Sequence, residues 1–120
     1  MGELRDRDEI QVEDNELTCD AGPVQVLNEE TAERLAETFK VLSDPTRVRI
    51  ISALAEGELC VHDLAQALDL THSAVSHQLA MLRDMRLVTY TKEGRHVFYA
   101  LDDAHIEDLF RQGLAHIEHS

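Results

Sequence analysis

The chain has 120 residues, of which 43 % are hydrophobic, and its 24 acidic side chains outnumber the 11 basic ones to give a net charge of −13. That length suits one domain with a modest core, no apolar run approaches the roughly 20 residues of a membrane span, and the acidic N-terminus lacks the basic and apolar regions of a signal peptide. The expected location is therefore the cytoplasm, and two cysteines, Cys19 and Cys60, are too few for a disulfide framework, which leaves them as free thiols or metal ligands.

The charge is unevenly spread. Residues 1–30 hold ten acids against Arg5 and Arg7, a net of −8. From Thr71 to Tyr99 the balance turns to +2, with His72, His77 and His96 in addition. Phosphate contacts demand a basic surface, so any nucleic-acid partner belongs to this segment, with salt-sensitive affinity but no large steering field. Residues 1–28, acidic and weakly apolar, read as a flexible arm, and residues 29–120 read as the folded domain.

From Asn28, an N-cap residue type followed by acids, Ala32, Leu35, Ala36, Phe39 and Leu42 recur at helical spacing. Ser43 and Asp44 precede Pro45, the favoured first residue of a second helix, in which Val48, Ile50, Ile51 and Leu54 run before Gly57. A short helix follows over Cys60–Leu68, and Asp69-Leu70-Thr71-His72 turns the chain into Ser73-Ala74-Val75-Ser76-His77-Gln78-Leu79. Two short helices joined by about four residues outline a helix-turn-helix. In the second, Ala74, Val75, Leu79 and Leu82 can face the core while Ser73, Ser76, His77 and Gln78 meet DNA, since small polar side chains admit phosphates and Gln can reach an adenine edge. The same pattern also fits a plain helical hairpin with a polar outer face.

After Met85 the period becomes extended. Leu87–Thr91 and His96–Ala100 flank Lys92-Glu93-Gly94-Arg95, a hairpin with glycine at the positive-φ turn position and with Lys92 and Arg95 at its tip. A hairpin after a helix-turn-helix makes a winged helix, whose tip either touches the DNA backbone or minor groove or simply covers the core. The fold class is thus mainly α with a small β-hairpin, a winged helix-turn-helix.

The final helix, capped by Asp102 or Asp103, carries Ile106, Leu109, Phe110, Leu114 and Ile117, an apolar face suited to a dimer seam. It also carries four metal-competent side chains, Asp103 and His105, then His116 and His119. Eleven residues at about 1.5 Å of rise part His105 from His116 by roughly 16 Å, whereas ligands of one zinc lie about 2.0–2.2 Å from it. One helix cannot close such a site. Eleven residues are nearly three whole turns, so both pairs share a face, and a second antiparallel copy would set Asp103 and His105 against the partner's His116 and His119. The spacing therefore predicts a homodimer with two symmetry-related sites. Three imidazoles and one carboxylate suit four-coordinate Zn(II), with Co(II) second, and leave no position for a substrate; a solvated histidine tail is the alternative. No His-Glu-x-x-His segment and no glycine-rich phosphate loop is present, so neither an enzyme nor binding of a small organic substrate is expected.

From Leu42 onward the chain resembles the ArsR/SmtB family of metal-sensing winged-helix repressors. The resemblance rests on Leu42-Ser43-Asp44-Pro45-Thr46-Arg47, Glu58-Leu59-Cys60-Val61-His62-Asp63-Leu64, Ser73-Ala74-Val75-Ser76-His77-Gln78-Leu79 and Gly94-Arg95-His96-Val97-Phe98-Tyr99. It implies a dimer that binds palindromic operator DNA of a metal efflux or sequestration gene and is released by metal. It also matches Asp103, His105, His116 and His119 to the zinc-sensor site on the terminal helix, and it implies a hydrogen bond from His116 to backbone near Arg86. A second family site implies Cys60, His62 and Asp63 as ligands, joined by Cys19 of the arm. Soft-metal sensors bring three or four thiolates to that site and this chain brings at most two, so Cd(II) and Pb(II) fit it less well than zinc. The competing reading is a repressor of the same fold that senses softer metals through Cys19 and Cys60, with the terminal-helix site silent.

Overall fold

A computed structural model describes residues 19–119. The acidic arm expected over 1–28 lies outside the described residues as far as position 18, and residues 19–28 are exposed and belong to no helix or strand. Five helices and three short strands follow in chain order.

Local chemistry fixes most of the boundaries. Helix α1 (Glu29–Val41) begins where the Asn28 side-chain oxygen accepts the Thr31 N–H at 2.8 Å, with Glu29 and Glu30 at its positive end. Helix α2 (Pro45–Leu54) has proline in its first turn, and Asp44 accepts the Arg47 N–H at 3.1 Å. Strand β1 (Leu59–Cys60) leads directly into α3 (Val61–Leu68). Asp69, at φ 58°, ends α3 in the left-handed conformation, and Leu70 N–H turns back to the Ala65 carbonyl at 2.9 Å. Helix α4 (His72–Asp84) starts with Thr71 Oγ1 accepting the Ala74 N–H at 3.0 Å. The device that closed α3 recurs at its end, with Arg86 at φ 60° and Leu87 N–H donating to Leu82 at 2.9 Å. Strands β2 (Val88–Glu93) and β3 (His96–Leu101) lead to α5 (Ala104–His119). Asp103, one of the two caps expected, accepts the N–H groups of His105 and Ile106 at 2.9 and 3.3 Å.

The hairpin expected from the sequence is present, and a third strand joins it. The sheet order is β1-β3-β2, all antiparallel, with Leu59 opposite Tyr99 and Cys60 opposite Phe98. Pairing of β2 with β3 runs from Val88↔Leu101 to Glu93↔His96, so only Gly94 and Arg95 form the turn. Gly94 takes φ 65°, as its place required. Lys92 stands within β2 opposite Val97 rather than at the extreme tip.

The core lies where α2, α3, α4 and the start of β2 meet. Ile50, Leu64, Val75, Leu79, Leu82 and Leu87 are buried, and no polar or charged residue is buried with them among the described residues. Helices α1 and α5 contribute no buried residue. Phe39 remains 49 % exposed and Leu109 39 %, so their apolar faces are open along one side. No described helix is long and apolar enough to cross a membrane.

Candidate functional site

The helix-turn-helix is α3 and α4, and its angle is set by buried side chains on both: Leu64 and Leu68 from α3, Val75 and Leu79 from α4. Burying those faces turns Ser73, Ser76 and His77 outward, and all three are exposed near the start of α4. Ala74, expected to face the core, is half-buried. Gln78 departs from the expectation that it stands free. It is half-buried, and its side-chain oxygen accepts a bond from Arg47 Nη1 at 3.3 Å. The same guanidinium donates through Nε to the Val41 carbonyl at 2.6 Å and reaches Met81 Sδ at 3.8 Å. Arg47 thereby engages the Gln78 amide oxygen and leaves the amide N–H₂ as its remaining donor group. Sequence reasoning missed Arg47 because the contact joins residues 31 positions apart.

On the wing, Lys92 and Arg95 are both exposed. The wing is braced from its root, where Arg83 of α4 lies over the Tyr90 ring at 4.8 Å and Tyr90 packs against Tyr99 with ring centroids 5.7 Å apart. Four groups with positive charge or donor capacity, Lys92, Arg95, Ser73 and Ser76, are thus exposed on the wing and the start of α4.

On the terminal helix, His105, His116 and His119 are all exposed. Asp103 Oδ1 is occupied by the helix start and lies 3.5 Å from His105 Nδ1, which leaves its second oxygen open. The His116 ring makes no hydrogen bond among the described residues, so the link to backbone near Arg86 implied by the resemblance is not formed here. At about 3.6 residues per turn, His105, Leu109 and His116 fall within about 40° of one another, and Ile106, Gly113 and Ile117 lie about 80–120° round from His105. The histidine stripe therefore borders the apolar face. That face, with Phe39, Leu42, Val48 and Ile51 opposite it, lines an open apolar groove of about 330 Å³. Arg111 clamps α5 to the rest of the chain, with Nε on Glu107 at 2.9 Å and Nη2 3.4 Å from the Ala55 carbonyl at the end of α2.

At the other expected site, Cys60 is half-buried at the start of α3 and makes no side-chain cap bond, while His62 and Asp63 are exposed on the first turn. Cys19 is a free, exposed thiol. A neighbour the sequence did not bring forward is His72, whose Nε2 lies 3.4 Å from His62 Nδ1. Among the described residues of one chain, no three His, Cys, Asp or Glu side chains gather closely enough to hold an ion. The donors at the start of and along α5 nonetheless fit zinc chemically: three imidazoles and a carboxylate with a free oxygen, all open to solvent.

Comparison with known proteins matches residues 44–90 to the family described as "Bacterial regulatory protein, arsR family". The chain is 48 % identical over 96 residues to a transcriptional repressor SmtB homolog of Synechocystis, covering 80 % of this chain and 73 % of that one. It is 42 % identical over 83 residues to a cadmium resistance transcriptional regulatory protein CadC homolog of Staphylococcus aureus, covering 68 % and 69 %. Among solved structures, the AntR antimony-specific transcriptional repressor superposes with a TM-score of 0.73 at 34 % identity, covering 86 % of this chain and 94 % of that one. With the helix-turn-helix, the wing and these matches in agreement, the chain belongs to the ArsR/SmtB family of metal-sensing, DNA-binding transcriptional repressors, which are winged-helix regulators and not enzymes.

Proposed function

We propose that the protein is a homodimeric repressor that binds operator DNA through Ser73, Ser76, His77, Gln78, Lys92 and Arg95. On this reading Zn(II) bound between paired α5 helices releases it, switching on genes of metal efflux or sequestration. The observation that carries the reading is the histidine stripe along the margin of an open apolar groove. A second copy that covers Phe39, Leu109 and Ile117 brings its own stripe to the same seam, so apolar burial and ligand pairing call for one arrangement.

Zinc supplies a fixed positive centre that favours four nitrogen and oxygen ligands in a tetrahedron. Asp103 and His105 of one chain would hold it with the partner's His116 and His119. Their pairing fixes the angle between the two α5 helices, and Arg111 carries that angle to the end of α2, one layer from the reading helix. Operator binding needs two α4 helices in successive major grooves about 34 Å apart, so a dimer held off that spacing loses one of its contacts.

Fluorescence anisotropy on the DNA upstream of its own gene, at fixed salt with zinc added and then chelated, tests this. Zinc should abolish binding and chelation restore it. The His105→Ala, His116→Ala variant should bind DNA as the parent does in zinc-free buffer and no longer respond to zinc. By linkage, operator DNA must weaken zinc binding by the factor by which zinc weakens DNA binding; equal zinc affinities for free and DNA-bound dimer would sink the proposal.

The relatives named for cadmium and antimony favour a second reading, in which Cys60, His62 and Asp63, with Cys19 of the arm, do the sensing. Zinc-dependent release that survives loss of His105 and His116 but not of Cys60 would select it.

A further inference from the structure

We infer that His62 and His72 form a chelating pair within one reading head, a site for a borderline divalent cation of the Zn(II), Co(II), Ni(II) or Cu(II) class, clasping α3 to the first residue of α4. The inference does not rest on the α5 site; it shares His62 with the thiol site but replaces the thiols with His72.

The geometry is specific. His62 stands in the first turn of α3 and His72 opens α4, ten residues on, so only the folded turn brings them together. His62 Nδ1 faces His72 Nε2 at 3.4 Å, with ring centroids 5.4 Å apart and planes at 69°. Two imidazole nitrogens that share a tetrahedral ion at about 2.0–2.1 Å stand about 3.3–3.4 Å from each other. The pair already has that separation without any movement of the backbone.

Three features hold it there. Leu64 and Val75 are fully buried on the inner faces of the two helices, Asp69 locks the turn in its left-handed conformation, and Thr71 caps α4. The backbone need not rearrange on binding and only the two exposed rings turn toward a common ion, which is what makes a chelate stronger than two separate imidazoles. Both rings are exposed, so an ion has an open path. In its absence the facing nitrogens share at most one N–H···N bond, since one of them must accept.

The donor set fixes the chemistry. Imidazole suits zinc, copper and nickel and offers nothing to magnesium or calcium. No third His, Cys, Asp or Glu joins the pair among the described residues of one chain, so water completes the coordination. The site should be weaker than the closed four-ligand site on α5, exchange faster, and need no second chain.

The test uses the full chain with His105→Ala, His116→Ala and Cys60→Ser, titrated with Zn(II) alone while histidine side-chain ¹⁵N resonances are followed. His62 Nδ1 and His72 Nε2 should shift together at one ion per chain. Because the second imidazole binds intramolecularly, adding His62→Ala or His72→Ala should each lower the affinity about tenfold or more. Zinc that leaves both resonances in place overturns the inference. A companion titration with Co(II) on the chain retaining Cys60 separates the thiol. Cobalt absorption without a thiolate charge-transfer band, weakened by His72→Ala, supports the pair; a thiolate band indifferent to His72→Ala assigns the ion to Cys60 and overturns it.

Discussion

The reading head and the outer helices are built to different standards of completeness. In α2, α3, α4 and the sheet, apolar faces meet one another inside a single chain, and Ile50, Leu64, Val75, Leu79 and Leu82 are buried. In α1 and α5 the apolar pattern is as regular, yet neither helix buries a residue. Similar amphipathicity with unequal burial leaves the second pair with apolar faces that the described residues do not cover, the faces assigned above to the proposed dimer seam. The shape of the reading head is thus a property of one chain, whereas in the proposed dimer the distance between two heads would belong to the assembly. A signal that changes only the second leaves the core untouched.

The sharpest way to break this contrast is in the core. Leu79→Ala leaves a cavity among Leu64, Val75 and Leu82 and should cost about 2–5 kcal/mol of unfolding free energy in a denaturant titration, with DNA binding lost as the head melts. The matching change in the outer layer is Leu109→Glu, on the exposed face of α5 beside the histidine stripe. It should leave the circular dichroism of the chain intact and yield a monomer by sedimentation. Affinity for a full palindrome should fall about 100-fold or more, because two linked heads become two separate ones, while affinity for a half-site stays near that of the parent head. A Leu109→Glu chain that remains dimeric would show that the open groove is not the seam.

The same contrast explains what was legible in the sequence. Helices α1 to α5 and the hairpin were readable because each carries its own period, and four of the helices also carry a capping side chain, at Asn28, Asp44, Thr71 and Asp103. Strand β1 was not readable: two residues, Leu59 and Cys60, show no period, and they become a strand only by pairing with Tyr99 and Phe98 some forty positions away. The α5 side chains proposed as ligands stood out in the sequence because their spacing lies on one helix. His72 was not, since it looked like one more turn residue until the turn brought it against His62. Exposure along α5 was anticipated from its apolar face, whereas exposure along α1 was out of reach, because an apolar stripe looks the same whether its cover is the same chain or another.

Arg47 joins the two regions and supplies the finest test of the contrast. Its guanidinium bonds the last residue of α1, through the Val41 carbonyl, and Gln78 on the helix assigned to DNA. Arg47→Ala removes a donor from a partly buried carbonyl and should cost about 1 kcal/mol of stability, within the range for a single unsatisfied group. If orienting Gln78 is its larger role, DNA affinity should drop several-fold beyond that small loss, and Gln78→Ala in the Arg47→Ala background should add little more. A double-mutant cycle on operator affinity then gives a coupling of at least about 0.5 kcal/mol, above the level at which distant sites merely add. Strict additivity would mean that Gln78 is aimed by its own helix alone, and that α1 reaches the DNA-facing surface only through the core and not through this side chain.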